Sequence, residues 1–95
     1  MRKYELMYII RTDLEQEAVD ATVQKIQDVI SNGGGEITHH EVLGKRRLAY
    51  EIKKYRDGIY VLVKFNAEPK LVAEVDRVIR ITDEIIRHLI VKDAA

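Results

Sequence analysis

Two strand-length stretches of this chain, 3–10 and 59–67, carry apolar residues on both alternating sets of positions. A strand apolar on both sides has to be covered on both sides, which places it inside a sheet rather than at its edge. Each of these stretches runs into a segment of helical period. Val19, Val23, Ile26 and Ile30 form one stripe, and Leu71, Val72, Val75, Val78 and Ile79 form the other. The stretches 36–54 and 85–91 complete the order β-α-β-β-α-β. Right-handed crossovers between parallel strands then predict a ferredoxin-like sandwich of the α+β class. It has a four-stranded antiparallel sheet, both helices on one face, and the second and fourth strands at the edges.

Local signals refine the expectation. Thr12-Asp13-Leu14-Glu15 has capping-box spacing before the first helix. Asn32-Gly33-Gly34-Gly35 ends that helix, because glycine takes the left-handed geometry a C-terminal cap needs. Gly44 predicts a bulge or bend within 36–54. Beyond it Leu48, Tyr50 and Ile52 alternate with Arg47, Ala49, Glu51 and Lys53, so the apolar set is predicted to face the core. Tyr55-Arg56-Asp57-Gly58 reads as the hairpin turn, and Pro69 as the first turn of the second helix. On the helix-free side of the sheet, Met7, Ile9, Tyr60 and Leu62 are predicted to form an apolar patch suited to a protein partner. Isolated copies could self-associate through it. The competing reading is that long side chains such as Lys64 cover it.

The 95 residues, 46% hydrophobic and 34% charged, suit one globular domain spanning 1–95. No cysteine is present, which excludes thiol redox chemistry and thiolate zinc sites. The opening apolar run is short and broken by Glu5, unlike a signal peptide. No stretch approaches the ~20 apolar residues of a membrane span, so the chain reads as soluble and cytoplasmic. His39 and His40 point to opposite faces of a strand and cannot chelate one metal, and His88 is remote in sequence. Ser31 has no base beside it. Gly33-Gly34-Gly35 follows a helix instead of preceding one and lacks the Gly-Lys-Ser/Thr ending of a phosphate loop. No catalytic set, metal, cofactor or small-molecule substrate is expected.

The sixteen basic and sixteen acidic residues cancel, but they are not mixed. Lys45, Arg46, Arg47, Lys53, Lys54 and Arg56 face a single acid, Glu51, within 45–56. Asp13, Glu15, Glu17, Asp20 and Asp28 face a single base, Lys25, within 13–28. A basic edge and an acidic helix suit a protein that meets RNA on one side and a basic protein elsewhere, against the plainer reading of solvated surface charge. The segment 56–65 superficially resembles the third-strand motif of RNA recognition modules. However, the positions that would stack bases are Ile59, Val61 and Lys64, none aromatic. Any RNA contact is therefore predicted to be mainly ionic and shape-based.

The block Gly44-Lys45-Arg46-Arg47-Leu48-Ala49-Tyr50-Glu51-Ile52-Lys53 resembles the signature of the bacterial ribosomal protein S6 family. So do the opening 4–10, Gly34-Gly35-Glu36, the segment 56–60 and the ending 87–92. The resemblance covers essentially the whole chain. It implies a non-catalytic component of the small ribosomal subunit that binds the central domain of the rRNA jointly with ribosomal protein S18. Arg2, Lys3, Lys45, Arg46, Arg47, Lys53, Lys54 and Arg56 are then the candidate RNA contacts. Met7, Ile9, Tyr60, Leu62 and Lys92 are the candidate protein contacts, and Gly44, Leu48 and Tyr50 are read as structural. Arg46 and Arg47, adjacent on a strand, are expected to point apart. A metabolite-sensing regulatory module of the same fold is the rival reading.

Overall fold

The two doubly apolar stretches pair with each other. In the computed structural model, which describes residues 1–93, strand β1 (Arg2–Ile10) runs antiparallel to β3 (Tyr55–Ala67), from Arg2 opposite Ala67 to Ile10 opposite Ile59. Strand β2 (Glu36–Ile52) flanks β3 and strand β4 (Ile85–Lys92) flanks β1, giving the sheet order β2-β3-β1-β4 with every neighbour antiparallel. Helices α1 (Gln16–Asn32) and α2 (Pro69–Arg80) supply the crossovers. The ferredoxin-like sandwich predicted from periodicity is the fold observed. No helix among the described residues is long and apolar enough to cross a membrane.

The main core lies between helices and sheet. Tyr4, Leu6, Tyr8 and Ile10 of β1 and Val61, Val63, Phe65 and Ala67 of β3 meet Val19, Ile26 and Ile30 of α1 and Leu71, Val75, Val78 and Ile79 of α2. Removing such side chains from water contributes about 1.5–3 kcal/mol each before chain entropy is counted. Pro69 opens α2 immediately after an extended Glu68. At the end of α1 Gly34 adopts φ +90°, and the Gly35 amide donates to the Ile30 carbonyl at 2.9 Å, as a glycine cap requires.

Two local expectations fail, the first because a distant partner outcompetes a near one and the second because the register between β2 and β3 is broken. The capping box does not form. Helix α1 begins at Gln16 after an extended Glu15, with no side-chain cap. The Thr12 hydroxyl donates instead to Asp57 Oδ1 at 2.7 Å, and Asp13 accepts from the Tyr55 hydroxyl at 3.0 Å. The hairpin turn is not at Asp57-Gly58. It is at Lys53-Lys54, which take φ of 48° and 72°, with Ile52 paired to Tyr55. Two successive positive φ values match the twist of a two-residue hairpin. Gly58 meets a different requirement, since a Cβ placed there would stand 2.2 Å from Ile9 Cγ2.

The shifted turn makes β2 and β3 longer than β1. Beyond Ile59 they continue as a two-stranded arm past the last β1 pairing. The bend expected at Gly44 is a bulge, with φ +92° and a register shift after Val42. A larger irregularity follows. Between the pairs Arg47–Asp57 and Ile52–Tyr55, residues 48–51 stand opposite Arg56 alone. Extra residues on one strand bend the ribbon and re-aim its side chains. Leu48 is thereby brought against Ile9 and Ile86, forming a second small core with Tyr55, Tyr60 and Ile52 around it. Ile9 is 7% exposed and Leu48 8%.

A methyl group at Gly58 has to displace Ile9 from this second core. Gly58→Ala is expected to destabilise the protein by roughly 1–3 kcal/mol. Urea unfolding would measure the loss, and amide exchange should show faster opening of 45–58 than of the β1–β3 centre.

Candidate nucleic-acid interface

Six of the eight cations selected from the sequence gather on the arm. Lys45 pairs with Ile59 and Arg47 with Asp57, which puts both on the helix side of the ribbon, while Arg46 is opposite Gly58 on the other side. Arg46 and Arg47 thus diverge as expected. Lys53 and Lys54 form the tip and Arg56 starts the return strand. All six are exposed. The structure separates Arg2 and Lys3 from them. Lys3 lies opposite Asn66 and Lys45 opposite Ile59, seven residues apart along β3, or roughly 23 Å at about 3.3 Å per residue. The predicted set is therefore one cluster plus a distant pair.

Carboxylates touch the cluster without neutralising it. Lys45 Nζ lies 3.4 Å from Asp57 Oδ2, and Arg56 Nε 3.9 Å from Glu51 Oε2. Exposed pairs of this kind are worth little and rearrange readily. Arg46, whose guanidinium reaches only the Leu43 carbonyl at 3.4 Å, and Arg47, Lys53 and Lys54 have no carboxylate within ion-pair distance among the described residues. Lys45, Arg46, Arg47 and Arg56 line an open hollow of about 410 Å³ together with Asp57. Left-handed backbone at two adjacent lysines is strained for side-chain-bearing residues, so the tip holds cations where Asn-Gly would fit more easily.

Two hydrogen bonds fix the arm to the segment joining β1 to α1. The Thr12 hydroxyl, and after it the Lys45 and Arg47 charges, hold the Asp57 carboxyl below its ordinary range despite some opposing desolvation. The bond to Asp13, reinforced by that residue's negative charge, raises the Tyr55 phenol and keeps it a donor. The acidic residues Glu15, Glu17, Asp20 and Asp28 of the α1 region are exposed and apart from the arm cations. On β2, His39 and His40 occupy alternate positions. His39 meets Glu41 at 3.2 Å, while burial, followed by the His39 charge, lowers the His40 pKa.

The helix-free face differs from the expected patch. Ile9 is buried under Leu48, and Tyr60 packs at the margin of the same cluster. Met7 and Leu62 remain half-exposed, and they pair in a row that continues to Leu89 of β4, which is 63% exposed. Val91 is also exposed, opposite Glu5. Lys92 is exposed at the end of β4. The apolar stripe thus runs toward β4, away from Ile9.

Sequence reasoning missed Arg87 and misread Tyr50. Strand alternation predicted Tyr50 to face the core, but the bulge leaves it 60% exposed. The arm curls far enough across the sheet for Arg87 on the opposite edge strand to donate to the Tyr50 hydroxyl at 2.5 Å. The Arg87 guanidinium carbon lies 5.7 Å from the ring centroid. The intervening unpaired stretch is four residues long, and nothing local to Leu48-Ala49-Tyr50-Glu51 announces it.

These features define a ferredoxin-like α+β protein whose distinctive surface is a cationic β-ribbon. The family model for ribosomal protein S6 matches residues 3–92. The small ribosomal subunit protein bS6 of Clostridium kluyveri is 53% identical over 93 residues, covering 98% of both chains. That of Desulforamulus reducens is 50% identical over 93 residues, again covering 98% of both. The crystal structure of 30S ribosomal protein S6 from Thermotoga maritima superposes with a TM-score of 0.93 at 32% identity, covering 97% of this chain and 87% of that one. The chain belongs to the ribosomal protein S6 family. Its role is that of a structural component of the small ribosomal subunit, in the cytoplasm, and not of an enzyme.

Because the Asp57 carboxyl titrates lower in the folded arm than in the unfolded chain, its contribution is fully present above the ordinary value of 3.8 and vanishes as pH falls through the lowered one. Asp57→Asn is expected to flatten the acid limb of the stability curve below about pH 4. Chemical denaturation at a series of pH values would show this as converging wild-type and variant stabilities at the acid end. Lys54→Gly relieves one left-handed residue and should raise stability by roughly 0.5–1 kcal/mol, seen as a higher urea midpoint.

Proposed function

We propose that the arm binds small-subunit rRNA through its phosphates, and that the chain does so jointly with the basic ribosomal protein S18. The observation that carries this reading is the concentration of six exposed cations on one ribbon, four of them with no carboxylate partner among the described residues. Exposed cations of this kind displace counterions from a nucleic acid and gain affinity by releasing them. Arg46 and Arg47 present planar forks suited to phosphate oxygens. They diverge from the two sides of the ribbon, which lets the arm lie against a groove or between two backbone segments. Arg2 and Lys3, at the far end of the sheet, belong to a second and weaker contact.

The net charge of zero limits what the chain does alone. A cationic partner would supply the attraction that a neutral protein lacks. The stripe Met7, Leu62 and Leu89, with Lys92 at the end of the same edge strand, is the surface that fits protein S18. Ile9 takes no direct part because Leu48 covers it. Tyr60 contributes its outer edge.

Arg46→Ala and Arg47→Ala should each weaken assembly of the complex of this protein, protein S18 and an rRNA central-domain fragment. The slope of log K against log salt should fall by about one for each lost phosphate contact. Filter binding across a salt series would measure both. Wild-type affinity and slope in both variants would remove the arm from the interface.

A further inference from the structure

The geometry points to Tyr50 as a stacking platform for one unpaired nucleobase, with Arg47 and Arg56 holding the phosphates beside it. This rests on the RNA-facing arm proposed above, and adds a base contact to an interface that the sequence suggested would be mainly ionic and shape-based.

Three observations support it. Tyr50 is 60% exposed on a strand where alternation with Leu48 and Ile52 would have buried it. An exposed tyrosine by itself is unremarkable, but this ring is held from below. Arg87 donates to its hydroxyl and stands 5.7 Å from its centroid, within cation–π range. A ring already fixed in orientation loses little freedom when a base lies on it. Finally, Tyr50 shares an open hollow of about 270 Å³ with Arg47, Leu48, Ala49, Glu51 and Arg56. The two arginines bring cations to the rim, and the one acid present, Glu51, is already directed at Arg56 at 3.9 Å. Base–aromatic stacking flanked by phosphate-binding cations is the usual way proteins hold single-stranded nucleic acid, and it tolerates any base. A paired base inside a helix has no free face to offer. The occupant is therefore a looped-out or single-stranded nucleotide.

The test uses the full chain in complex with protein S18, at low salt. The probes are a single-stranded RNA nonamer of adenosines with one central 2-aminopurine, and an RNA duplex of the same length. Tyr50→Leu is expected to weaken single-strand binding about ten-fold or more, to abolish 2-aminopurine quenching, and to leave the salt slope and the duplex affinity unchanged. Tyr50→Phe, which retains the ring, should bind the single strand within about three-fold of wild type. Melting curves would confirm that both variants fold. Equal single-strand affinity for wild type and Tyr50→Leu, with a normal salt slope, would overturn the platform and leave the cationic arm standing. So would equal losses on single strand and duplex. Absence of salt-dependent binding to either RNA would sink the arm and the platform together.

Discussion

The contact of Leu48 with Ile9 and Ile86 is the constraint from which the working surface follows. Without it the β2–β3 arm would be a two-stranded ribbon extending beyond the sheet, and an isolated hairpin is at best marginally stable in water. The second core turns that ribbon back over the helix-free face. It takes Ile9 out of solvent and carries Tyr50 across to Arg87 on the far edge strand. Gly58 makes the turn-back sterically possible, because its missing side chain is where Ile9 sits. A few apolar atoms therefore position a surface whose own chemistry is ionic.

Ionic contacts alone could not do this. The ion pairs of the arm, Lys45 with Asp57 at 3.4 Å and Arg56 with Glu51 at 3.9 Å, are long and open to solvent on the cation side, and water and salt weaken such pairs. What holds the arm is packing on one side and two neutral-to-charged hydrogen bonds, Thr12 to Asp57 and Tyr55 to Asp13, on the other. The division leaves Arg46, Arg47, Lys53 and Lys54 free of carboxylates within ion-pair distance among the described residues. Strain at the Lys53-Lys54 turn fits the same pattern. Two cations occupy backbone geometry that smaller turn residues would adopt more easily.

Much of the fold was legible in the residues. The doubly apolar 3–10 and 59–67 became the two central strands, the helical stripes became the buried faces of α1 and α2, and Gly34 and Gly44 took the left-handed geometry expected of a cap and a bulge. The cationic cluster at 45–56 was equally plain as a cluster. Three errors share one cause. Placing the turn at Asp57-Gly58, Tyr50 in the core and Ile9 on the surface all assumed an unbroken register between β2 and β3. The Thr12 cap failed for a related reason, since Asp57 is forty-five positions away and no window of local sequence contains both.

Periodicity and composition by themselves determined the element order, the sheet topology and the acid–base segregation, and the block 44–53 carried the resemblance to the S6 family, because each depends on residues within one segment or on their order along the chain. The tertiary structure alone decided which side of the arm each residue faces. Side-chain direction in a strand alternates with every residue, so a slip in pairing reverses faces from that point on. The three-residue excess of β2 over β3 before the turn is settled by the packing of Leu48 against two other strands. That packing buries Ile9, exposes Tyr50, and brings Arg87 from the opposite edge of the sheet to meet it.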